Sequence, residues 1–574
     1  MRSGHPAVAD LGLTPGHKSI VFGTSTRRLY VVLWNGTLAP GFPAALPAEV
    51  VSSPAVGDVT GDGIPEIVVG YGSLYSPGDP GGVRAFRRDG SVLWDRTSID
   101  FHVDGVPDPV IGAPAIGDID GDGANDVTWG SIDGRIYLVN GATGADKPGW
   151  PRFVRDSSFS SPAIADIDGD GKRDVVIGTD AHKEQSPFNT PDGGCLHVFR
   201  YDGTEVVGFP RCVDQQIGSA PAVGDINGDG LPEIVVGTGL YWPDRAHRVY
   251  AFGCDGTPVS GWPVTTDGEV GTAPALGDLD GDGVPEVVVT DDNSGPSGTF
   301  AVYAFRGNGT RIFRTVPRDF WGSTLDAADP VIADVLGDSA NEILVPTNSE
   351  ICVLSNAGVQ LTHHTAFTPS GLPSLATDYS LFNATVADFE TDGTAVEIVA
   401  VSGTPFPSAT DVKVWVWNPK AVGAIPWGAF HQSAQRTGVV PGSPACPNAN
   451  APTKLYTLPP CRVLDTRGPA GPYGGPAIPA QNIRTFLLAG RCGIPADAKA
   501  VSANVTVVQP FMDGDLRIFP GAGPSPLSSV INYRGGRVLA NNALLRLGAG
   551  EISIQNDQGS GPVHVVLDVN GYFK

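Results

Sequence analysis

Residues 218–239, GSAPAVGDINGDGLPEIVVGTG, carry the most chemically pointed spacing in the chain. Asp225, Asn227, Asp229 and Glu233 stand at positions 1, 3, 5 and 9 of a short loop, with Gly230 at position 6. Short oxygen-bearing side chains two residues apart point into one tight turn, and the glycine lets the backbone bend behind them. The carbonyl of Leu231, position 7, joins them, and Glu233 closes the set. Six or more oxygens about one point suit a hard cation of calcium's size, which accepts irregular oxygen cages; magnesium demands a stricter octahedron. Apolar β-branched runs flank the loop, so it joins two strands rather than two helices.

The same set recurs four times. The copies are Asp58, Thr60, Asp62, Ile64 and Glu66; Asp118, Asp120, Asp122, Ala124 and Asp126; Asp166, Asp168, Asp170, Lys172 and Asp174; and Asp278, Asp280, Asp282, Val284 and Glu286. Together they ask for about five Ca2+ ions. Degenerate copies start at Asp10, Asp334 and Asp388. The second of these has Leu336 and Ser339 at positions 3 and 6, and in the third an extra residue moves Glu397 out of register; neither is expected to bind metal tightly. The eight leading aspartates lie 48 to 60 residues apart, and about four short strands per period is the signature of a radial blade. The expected fold is all-β: an eight-bladed β-propeller, or a seven-bladed one if the degenerate first unit only completes the last blade.

The repeats resemble the FG-GAP (integrin-α-like, also called VCBS) propeller family over residues 1–440. Five loops keep D-x-[DNT]-G-D-G-x-x-[DE], each preceded by a strand that starts Pro-Ala. The resemblance implies calcium at the blade edge, with adhesion or ligand recognition elsewhere on the disc. The stretch PWGAFHQSAQRTG, 426–438, resembles the closing segment of bacterial members and reads as the last propeller strand.

Asn-Gly or Asp-Gly turns at Asn35, Asp89, Asp202, Asp255 and Asn308 are hairpin signals, because both residues tolerate positive φ. Phe42, Trp150, Phe209 and Trp262 each follow a glycine and precede a proline. They could stack on sugars, but a shared repeat position favours wedge-filling between blades. The loops 71–82, 180–194, 240–248 and 291–299, with Tyr75, Tyr241 and Trp242 among them, are a recognition surface if they gather at one end of the disc, and ordinary solvated loops otherwise.

Residues 441–452 are a patternless Pro/Ala/Asn-rich linker, and 453–574 alternate as a small β-sandwich domain. The pattern CRVLDTRG … VVLDVNGYF resembles a domain near the C-termini of secreted bacterial proteins. Cys461 and Cys492 look like its disulfide, and Cys195 with Cys212 could meet across adjacent strands. Cys254 and Cys352 read as buried strand residues; Cys446 stays unassigned. Arg467 is a candidate ligand contact, but an internal pair with Asp465 or Asp568 is favoured because a buried arginine needs a carboxylate.

The chain has 37 Lys+Arg against 61 Asp+Glu, a net charge of −24. Eighteen of the acids stand in the five intact loops, so the acidity is partly a metal-site inventory, and it speaks against nucleic-acid or anionic-membrane partners. No apolar run is long enough to span a membrane, and no signal peptide is visible in this chain. Plausible disulfides and loops suited to extracellular calcium levels argue for a secreted or cell-surface location. No HExxH, G-x-S-x-G or P-loop pattern occurs; a polysaccharide-degrading site would draw on Asp180, His182, Asp244 and His247, for which plain loop chemistry is favoured, and the pair His363-His364 has no third metal ligand in view. The reading is a secreted, non-enzymatic module for adhesion or recognition of a glycan or surface protein. The alternatives are a structural subunit of a filament or surface layer, with self-assembly, and a polysaccharide-degrading enzyme.

Overall fold

A computed structural model describes residues 4–574 apart from 75, 77, 182–191, 240–246, 293–298, 318–327, 348–349, 363–374, 376–379, 392–395, 404–411, 420–423, 427, 430, 434, 444–454, 497, 522–524 and 527. Tyr75, Tyr241, Trp242, His182, Asp244, His363, His364 and Cys446 therefore lie outside the described residues. The chain divides into two compact units, Met1–Ala449 and Asn450–Lys574.

In the first unit, runs of Val, Ile and Ala broken by Gly, Pro and Asp every few residues form short strands in eight antiparallel sheets, each in chain order. The fifth is representative: Ala222–Gly224, Glu233–Gly237, Arg248–Phe252 and Val264–Thr265. The seventh and eighth sheets have three described strands each. The innermost strands are buried on both faces, as Ala55–Gly57, Ala115–Gly117 and Ala222–Gly224 show. Each touches the innermost strand of the next sheet, and Ser380–Ala387 of the last sheet touches Ala7–Thr14 of the first. Sheets stacked around a closed ring make a β-propeller. The degenerate first repeat builds a four-stranded sheet of its own, Ala7–Thr14, His17–Thr24, Arg28–Val32 and Ala44–Ala45, but it has no metal loop. Ala7–Thr14 and His17–Thr24 run on into a hairpin whose last pair is Thr14 with His17.

Two repeated signals of the sequence meet between sheets. Gly41, Gly149, Gly208 and Gly261 lie against the carbonyls of Asp89, Asp202, Asp255 and Asn308, the Asx-Gly turns of the following sheet. Next to these glycines, Trp150 Nε1 donates to Tyr201 O at 2.8 Å and Trp262 Nε1 to Gly307 O at 2.7 Å. Both rings are buried, beside Phe199 and Phe305. The aromatics are wedge-fillers. A Cβ on Gly261 (φ +90°) would stand 1.9 Å from Asn308 O, whereas one on Gly36 (φ +80°) would meet nothing within 4 Å. Gly36→Ala is thus expected to cost about 1–2 kcal/mol from backbone strain alone. Gly261→Ala is expected to add a further ~1–3 kcal/mol from overlap; denaturant melts of the two variants that coincide would contradict this contact.

The segment 426–438 is not a strand of the last sheet, which ends with Val412–Trp417. Instead it lends its backbone to the inner strands of successive sheets. Val386 N–H donates to Gly428 O, Ile116 to Gln435, Ile164 to Thr437 and Val223 to Gly438. Arg436, fully buried, donates from Nε to Pro54 O at 3.0 Å and from Nη2 to Pro6 O at 3.2 Å and His5 O at 3.3 Å. Burial pushes its pKa down to about 9, and the negative charge of Asp329 works against that fall. His431, also fully buried, is bonded through Nε2 to Pro221 O at 2.7 Å. The sequence pattern pointed to a strand because it carries no trace of these distant partners.

Burial holds the His431 pKa at about 4, well below the ordinary 6.5; the charges of Arg436 (lowering) and Asp329 (raising) also bear on it. Between those two values the unfolded chain binds a proton that the folded chain does not. The resulting stability is complete above pH 6.5 and is lost as pH falls toward 4. At ~1.36 kcal/mol per pKa unit the loss is about 3 kcal/mol. The stability gap between wild type and His431→Gln should therefore narrow as pH drops from 7 to 4.5, and a constant gap in paired thermal melts would contradict it.

The second unit is a β-sandwich of two four-stranded antiparallel sheets. One sheet orders Leu455–Asp465, His564–Phe573, Ala500–Val508 and Leu539–Arg546; the other orders Asn482–Leu487, Glu551–Asn556, Gly514–Pro520 and Ile531–Tyr533. Alternation sends Val501, Ala503, Val505 and Val507 inward onto a core with Phe486, Leu516 and Ile554. Cys461 and Cys492 form a disulfide. Arg467 is not buried; it pairs with Asp465 at 2.7 and 2.9 Å, while Asp568 is taken by Arg462 at 2.8 Å.

Candidate metal centres

Every intact loop links the first two strands of its sheet and is held by its own carboxylates. In the loop starting at Asp58, Oδ1 accepts from Gly61 N–H at 2.7 Å and Oδ2 from Gly63 N–H at 2.8 Å. Asp62 accepts from Ile64 N–H at 2.8 Å, and Glu66 from Val59 N–H at 3.1 Å. The pattern repeats with Asp225, Asp229 and Glu233, and with Asp278, Asp282 and Glu286. In the loops of Asp118 and Asp166, position 6 donates to Oδ2 at 3.1 and 3.0 Å. Asp122 and Asp170 fix Ala124 and Lys172, both at 2.8 Å. The Lys172 ammonium turns away onto the ring of Tyr201, 3.5 Å from its centre. Position 6 is glycine at φ +82° to +87° in all five loops, a conformation that L side chains rarely adopt.

Both oxygens of Asp58, Asp225 and Asp278, and Oδ2 of Asp118 and Asp166, thus serve the backbone while a crowd of acceptors shares a small space. Oxygens of Asp118, Asp120 and Asp122 lie within 4.8 Å of one another, as do those of Asp166, Asp168 and Asp174, and of Asp278, Asp280 and Asp282. Thr60 Oγ1, Asp118 Oδ1 and Asp166 Oδ1 are buried without a hydrogen bond. Orphaned buried oxygens beside other carboxylates fit a cation. Burial pushes the closing carboxylates upward, Asp174 to about 8, Glu233 to about 7 and Asp126 to about 6; for Asp126, Lys147 opposes the rise. A dication at the centre would favour their charged forms. Neighbouring loops are tied together, since Asn125 Nδ2 donates to Asp58 O at 2.7 Å and Asn341 Nδ2 to Asp278 O at 2.7 Å.

Two degenerate loops keep more of this geometry than their residues suggest. Asp334 still accepts from Gly337 at 2.6 Å and from Ser339 at 3.0 Å, with Ser339 taking the glycine conformation at φ +72°. Leu336 nevertheless supplies no oxygen at position 3. Glu397 is in register after all: it pairs with Ala387 as Glu66 pairs with Gly57, and it accepts from Phe389 N–H at 2.8 Å. The sheet ladder fixes the closing carboxylate.

Asp180 is buried and accepts from the neighbouring Ala181 N–H at 2.7 Å, and His247 Nδ1 faces Asp267 O at 3.1 Å. Cys195 and Cys212 are cross-strand partners joined by a disulfide. Cys352 is buried in its strand, where its thiol donates to Glu350 Oε1 at 3.6 Å. Cys254 is not a buried strand residue; it sits half-buried in a turn and is disulfide-bonded. Among the described residues no helix is long and apolar enough to cross a membrane.

The family profile described as FG-GAP-like repeat matches residues 118–177, 225–289 and 278–345. No curated protein sequence matches the chain. Among solved structures, the chain is similar to the Dos1 propeller at 10% identity, over 73% of this chain and 93% of that one, with a TM-score of 0.45. It is similar to Bacillus licheniformis rhamnogalacturonan lyase PL11 at 14%, over 78% and 96%, with a TM-score of 0.40. The third is the V. cholerae biofilm matrix protein Bap1, at 15%, over 77% and 82%, with a TM-score of 0.35.

Proposed function

The chain is an FG-GAP β-propeller followed by a β-sandwich, and from that premise we propose a secreted, calcium-stabilised module that recognises a glycan or surface protein outside the cell and turns over no substrate. The observation that carries this reading is the commitment of the loop carboxylates. Each intact loop directs its acids to backbone N–H groups, and in the loops of Asp118, Asp166 and Asp278 carboxylate oxygens also gather within 4.8 Å of one another. Carboxylates held that way act as ligands rather than as proton donors or acceptors. Two disulfides between described cysteines suit an oxidising compartment. Calcium stiffens the loops between the first two strands of their sheets, and recognition belongs to other loops of the disc.

The test is a glycan and surface-protein array probed with the whole chain in calcium and in chelator, beside a turnover screen on acidic and neutral polysaccharides. Binding that weakens in chelator, with no new chain ends in the screen, is the expected result. Release of oligosaccharide would replace this reading with an enzymatic one.

A further inference from the structure

One side chain departs from the pattern of the metal loops. In the first, fourth and fifth sheets the residue two before the glycine at the sheet boundary is apolar: Ala39, Val206 and Val259. Its N–H donates to the adjoining strand, at Val31, Val198 and Ala251, and its carbonyl accepts from the aromatic three residues later. The third sheet has Lys147 at this position, with the same two bonds, to Leu138 and from Trp150. The Lys147 side chain is only 10% exposed. Its Nζ lies 2.5 Å from Asp120 Oδ2, 2.9 Å from Asp126 Oδ1 and 3.5 Å from Asp122 Oδ2. Positions 3, 5 and 9 of the loop thus converge on an ammonium group. In the fifth sheet the matching space, bounded by Asn227, Asp229, Glu233 and Val259, is a cavity.

Other loops have basic neighbours, but they sit differently. Arg200 Nε reaches Asp168 at 2.6 Å and Arg306 Nη2 reaches Asp280 at 2.7 Å; each of these contacts is with the carboxylate at position 3. The Lys147 ammonium instead forms ion pairs with Asp120, Asp122 and Asp126 together. A fixed ammonium and a dication cannot share one small centre without strong repulsion.

We infer that the 118–126 loop is closed by the Lys147 ammonium rather than by calcium, so that this chain carries its own cation in one of five otherwise similar loops. The inference rests on the calcium reading of the other four. It makes the third sheet the part of the propeller whose loop stays neutralised when calcium is withdrawn.

Native mass spectrometry of the whole chain at millimolar free calcium tests it, comparing wild type with Lys147→Val, the side chain of the fourth and fifth sheets, and with Lys147→Met. Each variant is expected to hold one calcium more than wild type. Equal counts overturn the inference while leaving the other loops' calcium in place. No calcium on any of the three proteins overturns it together with the reading beneath it. A second measurement needs no variant: acylation of Lys147 by an amine-reactive ester, quantified in calcium and in chelator. The expected labelling differs less than twofold between the two, and a rise of fivefold or more in calcium, the mark of a displaced ammonium, overturns the inference.

Discussion

In chelator, the propeller is expected to melt at least about ten degrees lower than in millimolar calcium, and its loops to become open to protease. The size follows from linkage: an ion present at 100 times its dissociation constant stabilises the folded state by about 2.7 kcal/mol per site, and four sites together reach about 11 kcal/mol. Without metal, the clusters at Asp58, Asp166, Asp225 and Asp278 are left with mutual repulsion and buried oxygens such as Thr60 Oγ1 that have no partner. Paired scanning-calorimetry runs on one preparation check it, with limited proteolysis mapped to 58–66, 166–174, 225–233 and 278–286. Asn125 ties the Asp58 loop, and Asn341 the Asp278 loop, to the loop of the following sheet, so loss of metal is expected to loosen those neighbouring loops as well. An unchanged melt would contradict the metal assignment.

Arg436→Ala is expected to have the second largest effect, about 3–5 kcal/mol, the cost of leaving its buried carbonyl acceptors without their donor and the charge of Asp329 without the opposing guanidinium. Arg436 is the donor to Pro54, His5 and Pro6, residues more than 380 positions earlier in the chain, and it is set against Asp329. Its guanidinium therefore ties the end of the propeller to its first two sheets, and ring closure depends on that tie. The variant should unfold at lower denaturant and release 424–440 to protease before the sheets open. Arg436→Met, which restores bulk but no donor, should recover only part of the loss. Full recovery would mean that packing alone accounts for the residue.

These two expectations differ in how far the sequence foretold them. The loops were legible because their ligands are local: Asp225, Asn227, Asp229 and Glu233 fall within nine residues, and the turn that gathers them needs only its own glycines. The sheets were legible for the same reason, since each strand pairs with the next one in the chain. The closing segment 426–438 was misread because its bonds go to Ile116, Ile164 and Val223, and no local pattern encodes such partners. Glu397 was misplaced by counting along a loop whose end is in fact set by the ladder with Ala387. Lys147 was passed over because it stands some twenty residues from the acids it neutralises. The signal was present in the repeat, where its sister positions hold Ala39, Val206 and Val259.

The central claim is that cations hold the blade loops, and anomalous diffraction from crystals grown in calcium tests it most directly. Calcium peaks are expected in the loops of Asp58, Asp166, Asp225 and Asp278, with carboxylate oxygens at about 2.3–2.6 Å. Loops that hold only water, with Glu66, Asp174, Glu233 and Glu286 bonded as neutral acids, would contradict it.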